Sequence, residues 1–170
     1  TLFFVIDKEN TEIFDLLIGD DRIDSNLTYK HKNRNTIIEM TPLQYAIDHN
    51  KDKIIQQILL QYSCKYADKI DIRRRSFKSI IGKEIEIFEK TLLYMSIETQ
   101  NIIVIKSLLA RTDVNINEKS YHLLGNNPIQ EQTALHLAAK IGNLEIIKLL
   151  LEKKEIDINI EDHQGKKPID

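Results

Sequence analysis

Apolar residues recur three and four positions apart along the chain. Ile54, Ile55, Ile58 and Leu59 form one such set, and Ile146, Ile147, Leu149 and Leu150 another. That spacing lines one face of a helix. A shorter apolar segment precedes each set and begins after Thr41 or Thr133, residues suited to capping a helix N-terminus. Pro42 falls at the first helical position, where its missing N–H costs nothing. The pattern predicts helix pairs near 2–18, 41–61, 91–110 and 133–152. Between the pairs the period drops to two. Ile70 and Ile72 at one end of segment 68–90, and Ile85 and Ile87 at the other, read as the arms of a hairpin with Gly82-Lys83 at its turn. Segment 27–40 has polar Asn33-Arg34-Asn35 at its centre and Ile37-Ile38 in one arm. Segment 118–132 carries the turn cluster Gly125-Asn126-Asn127-Pro128.

The helical pattern is repetitive. From Thr133 the chain runs through Leu135, His136, Ala138-Ala139 and Gly142-Asn143 into Leu144–Leu151, and closes on Ile156-Asp157-Ile158-Asn159. Shifted back by 42, Thr91, Leu93, Ser96 and Val114-Asn115-Ile116-Asn117 stand in the same places; shifts of 92 and 133 bring Thr41 and Asn10 into line. The copies occupy about 1–26, 41–67, 91–117 and 133–159, and a further one starts at 160–170 with Asp162-His163-Gln164-Gly165. Such periodicity marks units that bury their apolar faces only by stacking.

These residues resemble the ankyrin repeat: the Thr133–Asn143 core with its second helix, the Thr41-Pro42-Leu43 start, and the Asp162–Gly165 turn. The resemblance implies an all-α repeat solenoid, an ankyrin array of stacked helix pairs with extended β-hairpin fingers. The expectation is one domain over 1–170. Because the chain opens without Met and stops inside a turn motif, it also reads as a slice of a longer protein. Three departures stand out. Thr41 to Thr91 is 50 residues and Thr91 to Thr133 is 42, against a family unit of about 33. Phe3, Gln44 and Tyr94 stand where the fourth copy has His136, so a Thr–His lock is expected there alone. Glu9, Asn50 and Gln100 replace the helix-ending Gly142, which puts Glu9 and Gln100 under strain and leaves Asn50 tolerant. Ile47 and Ile97 in place of Ala139 should widen the local helix spacing.

Composition narrows the function. With 24 basic against 26 acidic residues, the net charge of −2 gives no wholesale grip on nucleic acid. The single cysteine, Cys64, excludes a disulfide framework and fits a reducing compartment, so the chain is expected in the cytoplasm or nucleus. No apolar run approaches the roughly 18 residues of a membrane helix. The five histidines are scattered rather than clustered, and no phosphate-cradling loop or metalloprotease motif occurs. The chain is therefore expected to hold no cofactor and no metal and to catalyse nothing. Glu84 and Glu86 share one strand face and read as solvated rather than as an acid–base pair. Abundant Lys, Ile and Asn beside uneven fingers resemble ankyrin proteins of protozoan parasites and large DNA viruses.

What the resemblance implies for function is a monomeric scaffold that binds another protein through a concave helix face and the fingers. Carried over residue by residue, the contact positions are Asp7 and Lys8, Asp48 and His49, Glu98 and Thr99, and Lys140 and Ile141, with His163 and Gln164 at a fingertip. An alternative is the cytosolic repeat region of a membrane channel or multidomain enzyme. Another is anionic-ligand binding, or phosphorylation at Ser76, around Arg73, Arg74 and Arg75; the plain reading of those arginines is a solvated arm. The 68–90 finger is expected to project as a hairpin, and a sheet of paired fingers would leave an outer edge open to strand addition, with the arginines guarding against accidental pairing.

Overall fold

The computed structural model describes residues 2–20, 23, 29–32, 36–62, 75–81, 84–125 and 127–170. Helix α1 (Leu2–Asp7) turns into α2 (Thr11–Ile18), and strands β1 (Tyr29–Lys32) and β2 (Thr36–Met40) follow. The second pair is α3 (Pro42–Asp48) and α4 (Asp52–Tyr62), followed by β3 (Arg75–Ile81) and β4 (Glu84–Lys90). The third is α5 (Leu92–Glu98) and α6 (Ile102–Leu109), followed by β5 (Lys119–Leu124) and β6 (Asn127–Thr133). The fourth is α7 (Ala134–Ile141) and α8 (Leu144–Leu151). First helices contact first helices and second contact second, in chain order, which is the helix–turn–helix solenoid.

Burial follows the repeat register. Leu43, Leu93 and Leu135 are 1, 3 and 3% exposed at equivalent positions. The small position holds Ala46, Ser96 and Ala138, all fully buried. Ser96 meets its polar obligation locally, its Oγ donating to the Leu93 carbonyl at 2.8 Å. The isoleucines Ile6, Ile47 and Ile97 are fully buried, whereas the equivalent Ala139, in the fourth pair, is exposed. These side chains therefore pack forward onto the following pair. In the second helices Ile54, Val104 and Ile146 are buried while Ile13, their counterpart in the first pair, is 45% exposed. They pack backward. Leu150 is fully buried and Leu149 only partly, so Leu150 rather than Leu149 carries the inter-unit core of α8.

Helix starts share a plan with different chemistry. Asn10, Asn101 and Asn143 cap the second helices with their side-chain oxygens. Asn101 Nδ2 also donates to Asp52 Oδ1 of the preceding pair at 2.7 Å, and Asn143 Nδ2 to Gln100 Oε1 at 3.1 Å. Thr41, Thr91 and Thr133 cap the first helices. His136 Nε2 lies 3.0 Å from the Lys166 carbonyl, which can only accept; Nε2 thus carries the proton and Nδ1 accepts from the Thr133 hydroxyl at 2.7 Å. The lock is not confined to this unit in function. Gln44 takes the part of His136, its Oε1 accepting from the Thr41 N–H at 2.9 Å. In the third pair Tyr94 cannot reach back, and Ser120 Oγ of β5 accepts from the Thr91 N–H at 3.1 Å.

Glu9, Asn50 and Gln100 adopt φ of 50, 51 and 52°, matching the left-handed Gly142 at 76°. The backbone geometry of the turn is retained without glycine, so the strain expected at Glu9 and Gln100 is absorbed rather than relieved by reshaping.

The strands form one antiparallel sheet in the order β1-β2-β3-β4-β5-β6. Arg75 opens β3 opposite Lys90, and β3 is flanked on both sides by β2 and β4. Strand β2 pairs with β3 over Phe77–Ser79, so β3 is an interior strand, and among the described residues β1 and β6 are the edges. The third hairpin turns at Gly125, φ 60°, while Asn127 and Pro128 already belong to β6. Ile70, Ile72, Gly82-Lys83, Asn33-Arg34-Asn35, Cys64, Arg73 and Arg74 lie outside the described residues.

Two stability tests follow from this packing. Leu150→Ala should cost about 2–5 kcal/mol and Leu149→Ala distinctly less, measured by denaturant unfolding. Gln100→Gly should raise stability by roughly 0.5–1 kcal/mol, because relief of left-handed strain exceeds glycine's entropic cost; a lowered midpoint would show that the Gln100 side chain, through Asn143, outweighs the strain.

Candidate functional site

Each finger runs directly into a first helix, so the sheet and the row of first helices share a junction. Repeat register aligns Asp7, Asp48, Glu98 and Lys140 in one row across the four pairs, with Lys8, His49, Thr99 and Ile141 beside them. All of these except the half-buried Thr99 are exposed. The exposed placement reflects their position at the ends of α1, α3, α5 and α7, where Asp7, Asp48 and Glu98 directly follow the inward-packing Ile6, Ile47 and Ile97.

Their surroundings differ from unit to unit. The Tyr45 hydroxyl donates to Asp7 Oδ1 at 2.8 Å, and Lys51 Nζ donates to the Asp7 carbonyl at 3.1 Å. Lys8 sits over the Phe4 ring at 5.7 Å. The His49 ring stacks on Tyr45 at 4.0 Å, donating from Nδ1 to the Tyr45 carbonyl at 2.9 Å, with Asp48 Oδ2 at 4.0 Å. Glu98 receives Lys90 Nζ on both oxygens at 2.6 and 2.9 Å. The Thr99 hydroxyl lies 3.2 Å from the Met95 and Ser96 carbonyls and so turns back on its own helix. Lys140 makes no ion pair among the described residues. It borders two clefts. One of about 200 Å3 lies between the sheet and the helices, lined by Phe88, Tyr94, Glu98, His122 and Gln130. The other, about 510 Å3, lies between β6 and residues 162–170 and includes the exposed His163 and Gln164.

The structure thus brings the helix-end positions and the sheet together. Of the arginines, only the backbone of Arg75 is described, and Ser76 lies within β3 opposite Glu89. Two features went unseen in the sequence. Phe3, Tyr29 and Tyr45 form a cluster with centroids 5.0–5.3 Å apart, joining α1, β1 and α3. The Phe88 and His122 rings stack at 3.9 Å across β4 and β5. Phe3, at the His136 position, was the available signal for the first; its partners, and the Phe88–His122 pairing, depend on finger register.

The charge environment is set by burial. Burial, then the hydrogen bond to Asp7, pushes the Tyr45 hydroxyl up to about 12. Burial, then the Glu98 carboxylate, does the same to Tyr94, also to about 12, against the opposing hydrogen bond donated by Gln130. Three or more His, Cys, Asp or Glu poised to share a metal do not occur among the described residues. No described helix is long and apolar enough to cross a membrane.

A family model of three ankyrin repeats matches residues 72–162, more than half of the chain. The chain belongs to the ankyrin repeat family. No curated protein matches it. Ankyrin repeats are in general protein–protein interaction modules and typically non-catalytic.

Tyr45 and Tyr94 yield a pH test. Their folded values exceed the unfolded tyrosine value of about 10, so their neutral forms contribute stability that is complete below pH ~10 and is lost as pH rises toward about 12. Ultraviolet titration should show late-ionising tyrosines, with one such group removed by Tyr45→Phe and one by Tyr94→Phe. Titration of every tyrosine near the ordinary value would contradict this placement.

Proposed function

We propose that this ankyrin chain is a non-catalytic scaffold that binds a partner protein across the concave helix row and the adjoining fingers. The observation that supports it most is the exposed row Asp7, Asp48, Glu98 and Lys140, set beside a sheet built from the three fingers between the four helix pairs. A surface this extended, with side chains differing at each equivalent position, offers a partner a distinctive set of contacts, of which a few carry most of the energy. Asp7 and Glu98 are oriented by Tyr45 and Lys90, which lowers the entropy lost when a partner binds. The sheet widens that surface, and its strands pair the fingers of neighbouring units.

The test compares two variants of the full chain in pull-down from extracts of the source organism. One carries Asp48→Ala, His49→Ala and Glu98→Ala on the helix row. The other carries Glu12→Ala, Lys53→Ala and Lys148→Ala on second helices. Both should keep the wild-type unfolding midpoint. The helix-row variant should lose about tenfold or more in retained partner, a difference of ~1.4 kcal/mol, while the second-helix variant retains it. Equal retention by both would remove the assignment.

A further inference from the structure

Among the described residues, strand β6 is one edge of the six-stranded sheet, and β5 is its single neighbour. In an antiparallel strand, alternate residues turn their N–H and C=O groups to either side, so an edge strand presents unpaired backbone groups along its outer side. Pro128 removes one donor at the start of β6. The pairing register is interrupted at Ile129, and Gln130, Glu131 and Gln132 resume it with β5. The stretch Ile129–Gln132 is thus the part of the edge that can accept a further strand.

This edge borders the cleft of about 510 Å3, whose opposite wall is the 162–166 turn. That wall is held in place. Asp162 Oδ1 accepts from the Gln164 and Lys166 N–H groups at 2.8 and 3.0 Å, which keeps its carboxyl below the usual carboxylate range. His136 Nε2 ties the same turn to α7 through the Lys166 carbonyl at 3.0 Å. On the opposite side Gln130 Nε2 is held by Gln132 Oε1 at 2.7 Å and Tyr94 Oη at 3.2 Å. Both walls are therefore ordered before any ligand arrives.

The charges around the cleft are unequal. Three lysines, Lys140, Lys166 and Lys167, line it against two aspartates, of which Asp162 faces backbone N–H groups and Asp170 Oδ2 accepts the Lys167 N–H at 2.7 Å. Lys167 Nζ turns to Asn159 Oδ1 at 3.3 Å. Lys140 and Lys166 are exposed and have no carboxylate partner among the described residues. A backbone edge flanked by two ammonium groups that form no ion pair among the described residues, in a lining with one positive charge in excess, fits an extended segment that carries carboxylates.

We propose that an acidic, extended peptide segment of a partner protein adds as a further strand along Ile129–Gln132 of β6, with its carboxylates on Lys140 and Lys166. This deepens the protein-binding reading and rests on it for the class of partner. Backbone pairing supplies most of the contact, and the two lysines select acidic over basic sequences. Lys140 links the two surfaces, because it belongs both to the helix row and to this cleft.

The probe is a short blocked peptide alternating Glu with Val, titrated into the full chain and followed by amide NMR. Resonances of Ile129–Gln132 and Lys140 should shift together. A peptide with Lys in place of Glu, and one N-methylated on alternate amides, should each bind about tenfold more weakly or worse. Lys140→Glu with Lys166→Glu should lower affinity for the Glu peptide to the same extent without changing the unfolding midpoint. Equal binding of all three peptides, no binding, or shifts confined to Asp48 and Glu98 would overturn the proposal. So would heparin binding at these lysines where the Glu peptide fails, or protection from exchange, without peptide, of those Ile129–Gln132 amides that point away from β5, which would mean that the chain itself fills the edge. The Asp48, His49 and Glu98 variant should leave this titration unchanged. Loss of the peptide site with partner capture intact therefore refutes strand addition alone.

Discussion

A short helix pair cannot hide its apolar face from water by itself, and the structure depends on stacking to do so. The first three of the first helices each contribute one residue that packs forward, Ile6, Ile47 and Ile97, and the last three of the second helices each one that packs backward, Ile54, Val104 and Ile146. The fully buried small residues Ala46, Ser96 and Ala138 set how closely the first helices approach. Burial of this kind stabilises by about 25 cal/mol per Å2 of apolar surface. Every other feature is arranged around keeping those faces in register.

Polar chemistry serves the same register by unequal means. The backbone N–H ahead of each first helix needs an acceptor, and Gln44, Ser120 and His136 meet that need in three successive pairs. Ser120 belongs to β5, so the third pair borrows its cap from a finger. Likewise Asn101 and Asn143 both start their own helices and reach back to the preceding pair. An unmet buried donor costs roughly 1–3 kcal/mol, which is why the substitution of one residue type is matched by a new acceptor nearby.

The sheet has a different origin. Strands from three fingers pair side by side because the stacked pairs carry their bases at similar spacing, and an antiparallel sheet of many strands is far more stable than an isolated hairpin. Pairing places β3 and β4 in the interior and leaves β1 and β6 as edges. It also brings Lys90 over Glu98, Phe88 against His122, and Gln130 against Tyr94. The candidate binding surface is thus a joint product of helix ends and fingers.

Periodicity, caps and turn residues are local properties, and the sequence by itself determined them: the helix pairs, the threonine and asparagine caps, the equivalence of Leu43, Leu93 and Leu135, and the aligned helix-end row. It also marked the fingers through alternating arms at 68–90 and the turn at Gly125. Tertiary structure decided what depends on pairing between distant segments. Whether Leu149 or Leu150 faces the core turns on a rotation of one residue about α8. Gln44 and Ser120 replace the histidine lock because of where their side chains arrive, and Glu9 and Gln100 accept left-handed backbone because the stacked helices on both sides impose it. The fingers' neighbours, and hence which strands are edges, follow from three-dimensional register between segments tens of residues apart, which no local pattern encodes.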